Sequence, residues 1–188
     1  MQIQEITVGL VATNCYILSL EDRDDCLVID PGAEAERVRK AAAGKRIEAI
    51  LLTHGHFDHI GACGDLMEEG VRLFIHEKDA PMLTDPSLNA SLALLRRPRS
   101  APEATDLLHE GDELTIAGMN VQVLHTPGHT PGSVCYLIGD HLFTGDTLFE
   151  HGWGRTDFPG GNEHELFASL RRIIPIAQKY PFHPGHDT

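Results

Sequence analysis

The stretch Thr53-His54-Gly55-His56-Phe57-Asp58-His59 places three histidines and a carboxylate within positions 54–59. Histidine makes up 12 of the 188 residues, so such a cluster is not a product of composition. Neutral imidazoles crowded together gain little unless a cation joins them, and imidazole with carboxylate is a donor set for divalent metal. The bland alternative is a run of surface histidines with no ligand, which gives no reason for the density. In an extended chain residues i and i+2 share a side, so His54 and His56 point together, while Asp58 and His59 enter a helix. The preceding Ile47–Leu52 reads as a strand, which delivers the cluster into a strand-end loop, a common place for ligands.

Toward the N-terminus, Ile3–Val8, Asn14–Leu20 and Cys26–Ile29 read as a meander, separated by Gly9 and the charged turn Glu21–Asp25. Asp30-Pro31-Gly32 stops the third strand, and Ala33–Ala43 has helical composition, ended by Gly44. Beyond the cluster, Gly61–Glu69 continues its helix and Leu73–Ile75 is a short buried strand. Glu77–Leu83 and Ser87–Leu95 read as helices, and Arg96–Thr105, with two prolines, as a loop. Strands follow at Leu107–His109, Glu113–Ile116, Asn120–Leu124, Val134–Ile138 and His141–Thr144. Asn162 is placed to cap a helix over Glu163–Ile174, where Leu166, Phe167, Leu170, Ile173 and Ile174 recur at helical spacing and Pro175 ends it. This alternation predicts an α+β fold, a four-layer αββα sandwich, formed as a single domain over residues 1–188.

The formal charge is −13, and an acidic surface repels phosphate backbones, so no nucleic-acid partner is expected. The start Met1-Gln2-Ile3-Gln4-Glu5 lacks the basic and apolar regions of a signal peptide, and no stretch approaches a membrane span, so the expected location is cytoplasmic, with no membrane partner. Cys15, Cys26, Cys63 and Cys135 show no Cys-x-x-Cys spacing and read as buried thiols, although Cys15 and Cys26 are spaced to face each other across a hairpin.

Three more candidate ligands lie in glycine-rich or proline-rich turns after strands: His129 in Thr126–Ser133, Asp146 in Thr144–Thr147, and His186 in Pro184–Asp187. Each alone reads more readily as a structural turn residue; with the first cluster they supply five histidines and two aspartates.

In its order His54-x-His56-x-Asp58-His59, His129, Asp146, His186, the chain resembles the metallo-β-lactamase superfamily. The resemblance implies one metal held by His54, His56 and His129, a second held by Asp58, His59 and His186, and Asp146 bridging them. Two divalent ions are implied, zinc foremost, with iron or manganese compatible with the same donors. The runs His125–Ser133 and Gly154–Gly161 narrow the likeness to the small bacterial glyoxalase II-like proteins, the hydroxyacylglutathione hydrolases. Larger glyoxalase II enzymes hold glutathione with a C-terminal helical domain. This sequence ends two residues after His186, as the small form or as a chain that has lost a tail. Asp146 departs from the true β-lactamases of the superfamily, which have cysteine or serine there. No basic RNA-grasping segment of the ribonuclease-Z type is present.

The function so implied is hydrolysis of a small-molecule thioester such as S-lactoylglutathione by a hydroxide shared between the metals, oriented by Asp58. A thiolate leaves readily and needs little help from a general acid, and no additional acid is visible. Trp153 and Arg155 are the candidates for shaping the substrate entrance. Ser133 and Cys63 lie near the metal motifs, but no nucleophile elbow accompanies them, and they read as turn and packing residues. The rivals are a persulfide dioxygenase with one iron, a lactonase, and a non-catalytic metal-binding module. Oligomeric state is not legible in the sequence.

Overall fold

The computed structural model describes residues 1–187. Among these, one sheet runs in the order β1 (Gln2–Val8), β2 (Thr13–Ser19), β3 (Asp25–Ile29), β4 (Arg46–Leu51), β5 (Arg72–His76), β6 (Asp106–Leu108). Its first three strands are antiparallel and β3 to β6 are parallel. The second sheet comprises β7 (Glu113–Ile116), β8 (Met119–His125), β9 (Val134–Ile138) and β10 (His141–Gly145), with β11 (Phe182–Pro184) parallel to β10 at its edge.

Alternation along the inner strands creates the layers. Cys15, Ile17, Cys26, Val28, Ile50 and Leu52 face a core shared with Val38 of helix α1 (Ala35–Ala41), Ile60 of α2 (Phe57–Ile60) and Leu66 of α3 (Cys63–Leu66). Their neighbours Tyr16, Leu18, Leu27, Ile29, Ala49 and Leu51 face the other way, against Val121, Val123, Tyr136 and Phe143 of the second sheet. Leu124, Cys135 and Leu142 point outward from that sheet, onto Ile173 of helix α6 (Glu163–Ala177). These are the four layers of an αββα sandwich, as the sequence predicts. Burying each large aliphatic side chain contributes about 1.5–3 kcal/mol, so a one-residue slip in any central strand would turn two cores inside out.

Several local expectations need correction. Helix α6 runs through Pro175 to Ala177. The proline is exposed at the helix surface, while Ile176 and Ala177 pack against the core beneath it, so their burial outweighs the lost backbone hydrogen bond. The helix expected over Gly61–Glu69 is only α3: the Ala62 N–H donates to the Pro31 carbonyl at 2.9 Å rather than to the preceding turn, so α2 and α3 are separate. Helices α4 (Ala80–Thr84) and α5 (Ser91–Leu95) are each shorter than their sequence pattern. Strand β11 has no counterpart in the sequence pattern, because three residues give no periodicity to read. Cys15 and Cys26 do not face each other, since Cys15 pairs with Ile6 while Cys26 pairs with Ser19; all four cysteines are buried free thiols. Among the described residues no helix is long and apolar enough to cross a membrane.

Candidate metal centre

Four chain segments end at one edge of the sandwich. The Val134 N–H donates to the Thr53 carbonyl at 2.8 Å, tying the end of β4 to β9. The Gly185 N–H donates to the Gly145 carbonyl and the Asn14 N–H to the Gly185 carbonyl, both at 2.8 Å, tying β10, β11 and β2 together. His54 and His56 follow β4, Asp58 and His59 open α2, His129 sits in the β8–β9 loop, Asp146 follows β10, and His186 follows β11.

All seven predicted ligands converge. One ligand atom from each of His54, His56 and His129 forms a first group; Asp58, His59 and His186 form a second; Asp146 groups with His54 and His59, each group spanning no more than 4.8 Å. Asp146 lies between the two groups, with Oδ2 3.5 Å from His129 Nε2 and 3.6 Å from His186 Nε2, and Oδ1 3.4 Å from His59 Nε2.

Imidazole orientation shows why these residues need a cation. His129 Nδ1–H donates to the Arg155 carbonyl at 2.7 Å, which leaves Nε2 with a lone pair, and that atom faces His56 Nδ1 at 2.9 Å. His59 Nδ1 is 2.9 Å from Asp30 Oδ2, and its Nε2 faces His186 Nε2 at 3.3 Å. Nitrogen atoms facing each other need a proton or a metal to share. His54 Nε2 and Asp146 Oδ1 are buried with no hydrogen-bond partner, as is His56 Nε2. Buried polar atoms normally find partners, so the donor set fits divalent metal.

Electrostatics separate the two groups. Burial, reinforced by the neighbouring histidines, pushes His54 well below the ordinary imidazole value. Burial and His129 push His56 down to about 3, and burial also lowers His129. The first group is therefore neutral and ready to ligate. Burial opposes a proton on His59 too, but the carboxylates of Asp146, Asp58 and Asp30 outweigh it and hold the residue well above its ordinary value. His186 is raised in the same way, chiefly by its hydrogen bond to Asp58. Burial works against ionised Asp58 and Asp146, yet His59 and the other nearby imidazoles hold both carboxyls below the usual range.

Two supporting carboxylates went unrecognised as such in the sequence. Asp30, read there as a strand stop, accepts from Thr53 as well as facing His59. Its place at the end of β3, beside β4, was the available signal. Asp79 had none: buried in the turn before α4, it accepts the Gly55 N–H at 3.1 Å, the Thr130 hydroxyl at 2.6 Å and the Gly132 N–H at 2.6 Å. Burial pushes its carboxyl up to about 6. It joins the loop of His54 and His56 to the loop of His129.

The groups lie beside a cavity of about 460 Å³ whose wall includes Phe149, Trp153, Arg155 and Phe158. Trp153 is half exposed and packs edge-on against Phe167. Arg155 makes a bidentate pair with Asp157 at 2.5 and 2.6 Å and lies 4.2 Å over the Phe158 ring. Gly154 permits this loop to approach: a side chain there would overlap the Asp146 carbonyl and come within 2.8 Å of His129 Nδ1. Ser133 and Cys63 are both buried; the serine hydroxyl serves Thr130, and burial pushes the Cys63 thiol up, as befits packing residues.

Comparison with known proteins agrees with this geometry. The metallo-beta-lactamase superfamily profile matches residues 8–174. The chain is 40% identical to a probable metallo-hydrolase, YqgX of Bacillus subtilis, over 99% of this chain and 90% of that one. It is 35% identical to the hydroxyacylglutathione hydrolase GloC of Haemophilus influenzae, over 100% and 92%. Among solved structures it is similar to the BLEG-1 B3 metallo-beta-lactamase, with TM-score 0.94 and 37% identity over 100% and 92% of the two chains. It is also similar to ETHE1 from Myxococcus xanthus, with TM-score 0.81 and 30% identity over 100% and 76%. TTHA1623, solved in a di-iron-bound form, gives TM-score 0.81 and 35% identity over 98% and 92%. With its fold, its ligand order and this match over most of its length, the chain belongs to the metallo-β-lactamase superfamily.

Proposed function

We propose that the protein is a metal-dependent thioester hydrolase, with S-lactoylglutathione as a representative substrate. The observation that carries this reading is the joining of two ligand groups through Asp146 beside an apolar-walled cavity. The similarity to GloC supports the thioester. His54, His56 and His129 would hold one divalent ion and Asp58, His59 and His186 the other, with Asp146 between them; zinc is the first choice, and the di-iron relative keeps iron beside it. When bound, the metals lower the pKa of water toward neutrality and polarise the substrate carbonyl.

The chain's own residues do the rest. Asp58 accepts a hydrogen bond from the attacking water and orients it. Asp30 and the Arg155 carbonyl fix the rings of His59 and His129, and Trp153 and Phe158 exclude solvent from the acyl group. Water adds to the carbonyl carbon, the carbon–sulfur bond breaks, and a carboxylate, a thiol and a proton are released. The thiolate is a competent leaving group without a dedicated acid and takes up its proton after the carbon–sulfur bond has broken.

The similarity to BLEG-1 makes β-lactam hydrolysis the second reading, against which Asp146 stands where the true β-lactamases of the superfamily have cysteine or serine. An amide nitrogen needs protonation on leaving, and the cavity wall offers no obvious acid for it. The experiment is elemental analysis of the purified protein, then turnover of S-lactoylglutathione beside other thioesters, lactones, a penicillin and glutathione persulfide. Thioester turnover with about two metals per chain is expected. One iron per chain with oxygen uptake on the persulfide would replace the hydrolase reading, and a loaded protein that turns over none of these is a binding module. Asp146→Ala should abolish paired occupancy and hydrolysis together; full activity in that variant refutes the bridging role.

A further inference from the structure

The segment between α4 and β6 carries features the metal ligands do not use. Ala90 and Arg96 both adopt left-handed backbone, with φ 65° and 54°, and bracket α5. Buried Asn89 donates from Nδ2 to the Met82 carbonyl at 3.0 Å and the Arg99 carbonyl at 2.9 Å, and its Oδ1 accepts the Ser91 N–H at 3.1 Å. The Ser91 hydroxyl accepts the Arg99 N–H at 3.1 Å. Both feet of an Ala90–Arg99 flap are thus pinned together. The Asn89 carbonyl also accepts the Phe57 N–H at 3.0 Å, which seats the flap on the metal motif itself.

The flap borders two cavities that share Val11, Phe57 and Asp58 as a common wall. Leu94 lines the first, beside the metal ligands; Leu95 and Arg99 line the second, of about 300 Å³. Their chemistry differs. In the first, Arg155 is held by Asp157, the remaining charged residues are Asp58, Asp146 and Asp187 besides the histidines, and Val11, Leu94 and Trp153 are 44%, 51% and 52% exposed. That space suits an uncharged, largely apolar group. In the second, Glu34 is engaged by Arg37 at 2.7 Å and by the Gly9 N–H at 3.1 Å, and Asp58 is paired with His186. Arg99 has no ion pair among the described residues, and neither have Arg96 and Arg97. In a chain of charge −13, three unpaired guanidiniums within four positions, of which Arg99 lines the second cavity, make a local positive field on the flap. A guanidinium matches a carboxylate or a phosphate with two parallel hydrogen bonds.

We infer that the Ala90–Arg99 flap is the carrier subsite: the acyl group lies in the apolar cavity, and an anionic group of the thiol carrier, carboxylate or phosphate, lies against Arg99, with Arg96 and Arg97 drawing it in. The inference rests on the thioester reading above and names the class of thioester, one whose carrier is anionic.

The test uses one acyl group on three thiols: glutathione, which carries carboxylates, coenzyme A, which carries phosphates, and N-acetylcysteamine, which is uncharged. Arg99→Ala and the triple variant R96A/R97A/R99A are compared with the parent at matched metal content. The expected result is that the ratio of kcat/KM for an anionic thioester over the neutral one falls about tenfold, mainly through KM, the size of one lost charge-assisted contact. The anionic carrier that loses more identifies the source. In the parent that ratio should also fall as salt rises from about 0.05 M to about 0.5 M. Binding is read without turnover by quenching of Trp153, the single tryptophan, with the S-hexyl thioethers of glutathione and coenzyme A. An unchanged ratio and unchanged thioether affinity in both variants overturn the flap assignment. If the parent hydrolyses none of the three thioesters, the thioester reading itself fails.

Discussion

Asp30 sets the orientation of His59: its Oδ2 lies 2.9 Å from His59 Nδ1 with both side chains buried, while the same carboxylate accepts the Thr53 N–H at 2.8 Å and hydroxyl at 2.6 Å. The carboxylate fixes the proton on Nδ1 and leaves Nε2 for a metal. Asp30→Asn keeps the shape but removes the charge, so affinity at the Asp58, His59 and His186 group should fall about 10–100-fold, with a smaller effect on the other group. Chelator competition resolves the two affinities. Equal losses at both, or none, would sink this assignment.

Asp79 joins the two loops that carry the candidate ligands His54, His56 and His129. Asp79→Ala leaves the Gly55 N–H, the Thr130 hydroxyl and the Gly132 N–H short of a buried acceptor, and should cost about 2–4 kcal/mol of stability by urea denaturation of the metal-free protein. Metal affinity should weaken most at the His54, His56 and His129 group, whose loops separate. A variant with parental stability would show that the three donors find other partners.

The two groups should also part company with pH. His59 and His186 have raised values, so in the metal-free protein their stabilising contribution is complete below the unfolded imidazole value near 6.5 and is lost as pH rises through their raised values. Metal competes with those protons, and saturating zinc should raise the melting temperature more at about pH 8 than at about pH 6. His54, His56 and His129 are lowered and hold no proton for metal to displace near neutrality. On acidification, metal should therefore leave the Asp58, His59 and His186 group first. Release in the opposite order contradicts this account.

Gly154 tests close approach at the site. Gly154→Ala must move the loop that supplies the Arg155 carbonyl to His129, and activity should fall at least about tenfold as the ligand geometry loosens. Gly64→Ala is the control. Its added carbon meets only Pro102 at 3.7 Å within a helix, where alanine is the better former by about 1 kcal/mol. Parental kinetics in G154A would show that the loop has slack.

The layers and the candidate ligands are legible along the chain. Alternation in Cys15–Leu18 and Cys26–Ile29 assigns each side chain to one of two cores, and the His54–His59 spacing is local, so both are readable along the chain. Local rules give way where a distant partner intervenes: Pro175 is carried inside α6 by the packing of Ile176 and Ala177, and the Ala62 N–H turns to the Pro31 carbonyl and separates α2 from α3. How the rings are held and what surrounds them follow from contacts between distant parts of the chain. Asp30 reaches His59 across neighbouring strands, Asp79 ties loops that the chain keeps far apart, and the Arg155 backbone, not its side chain, meets His129. Those contacts are set by which strand ends meet at one edge of the sandwich. No period or motif records that distance, because it arises from two sheets closing on a shared core.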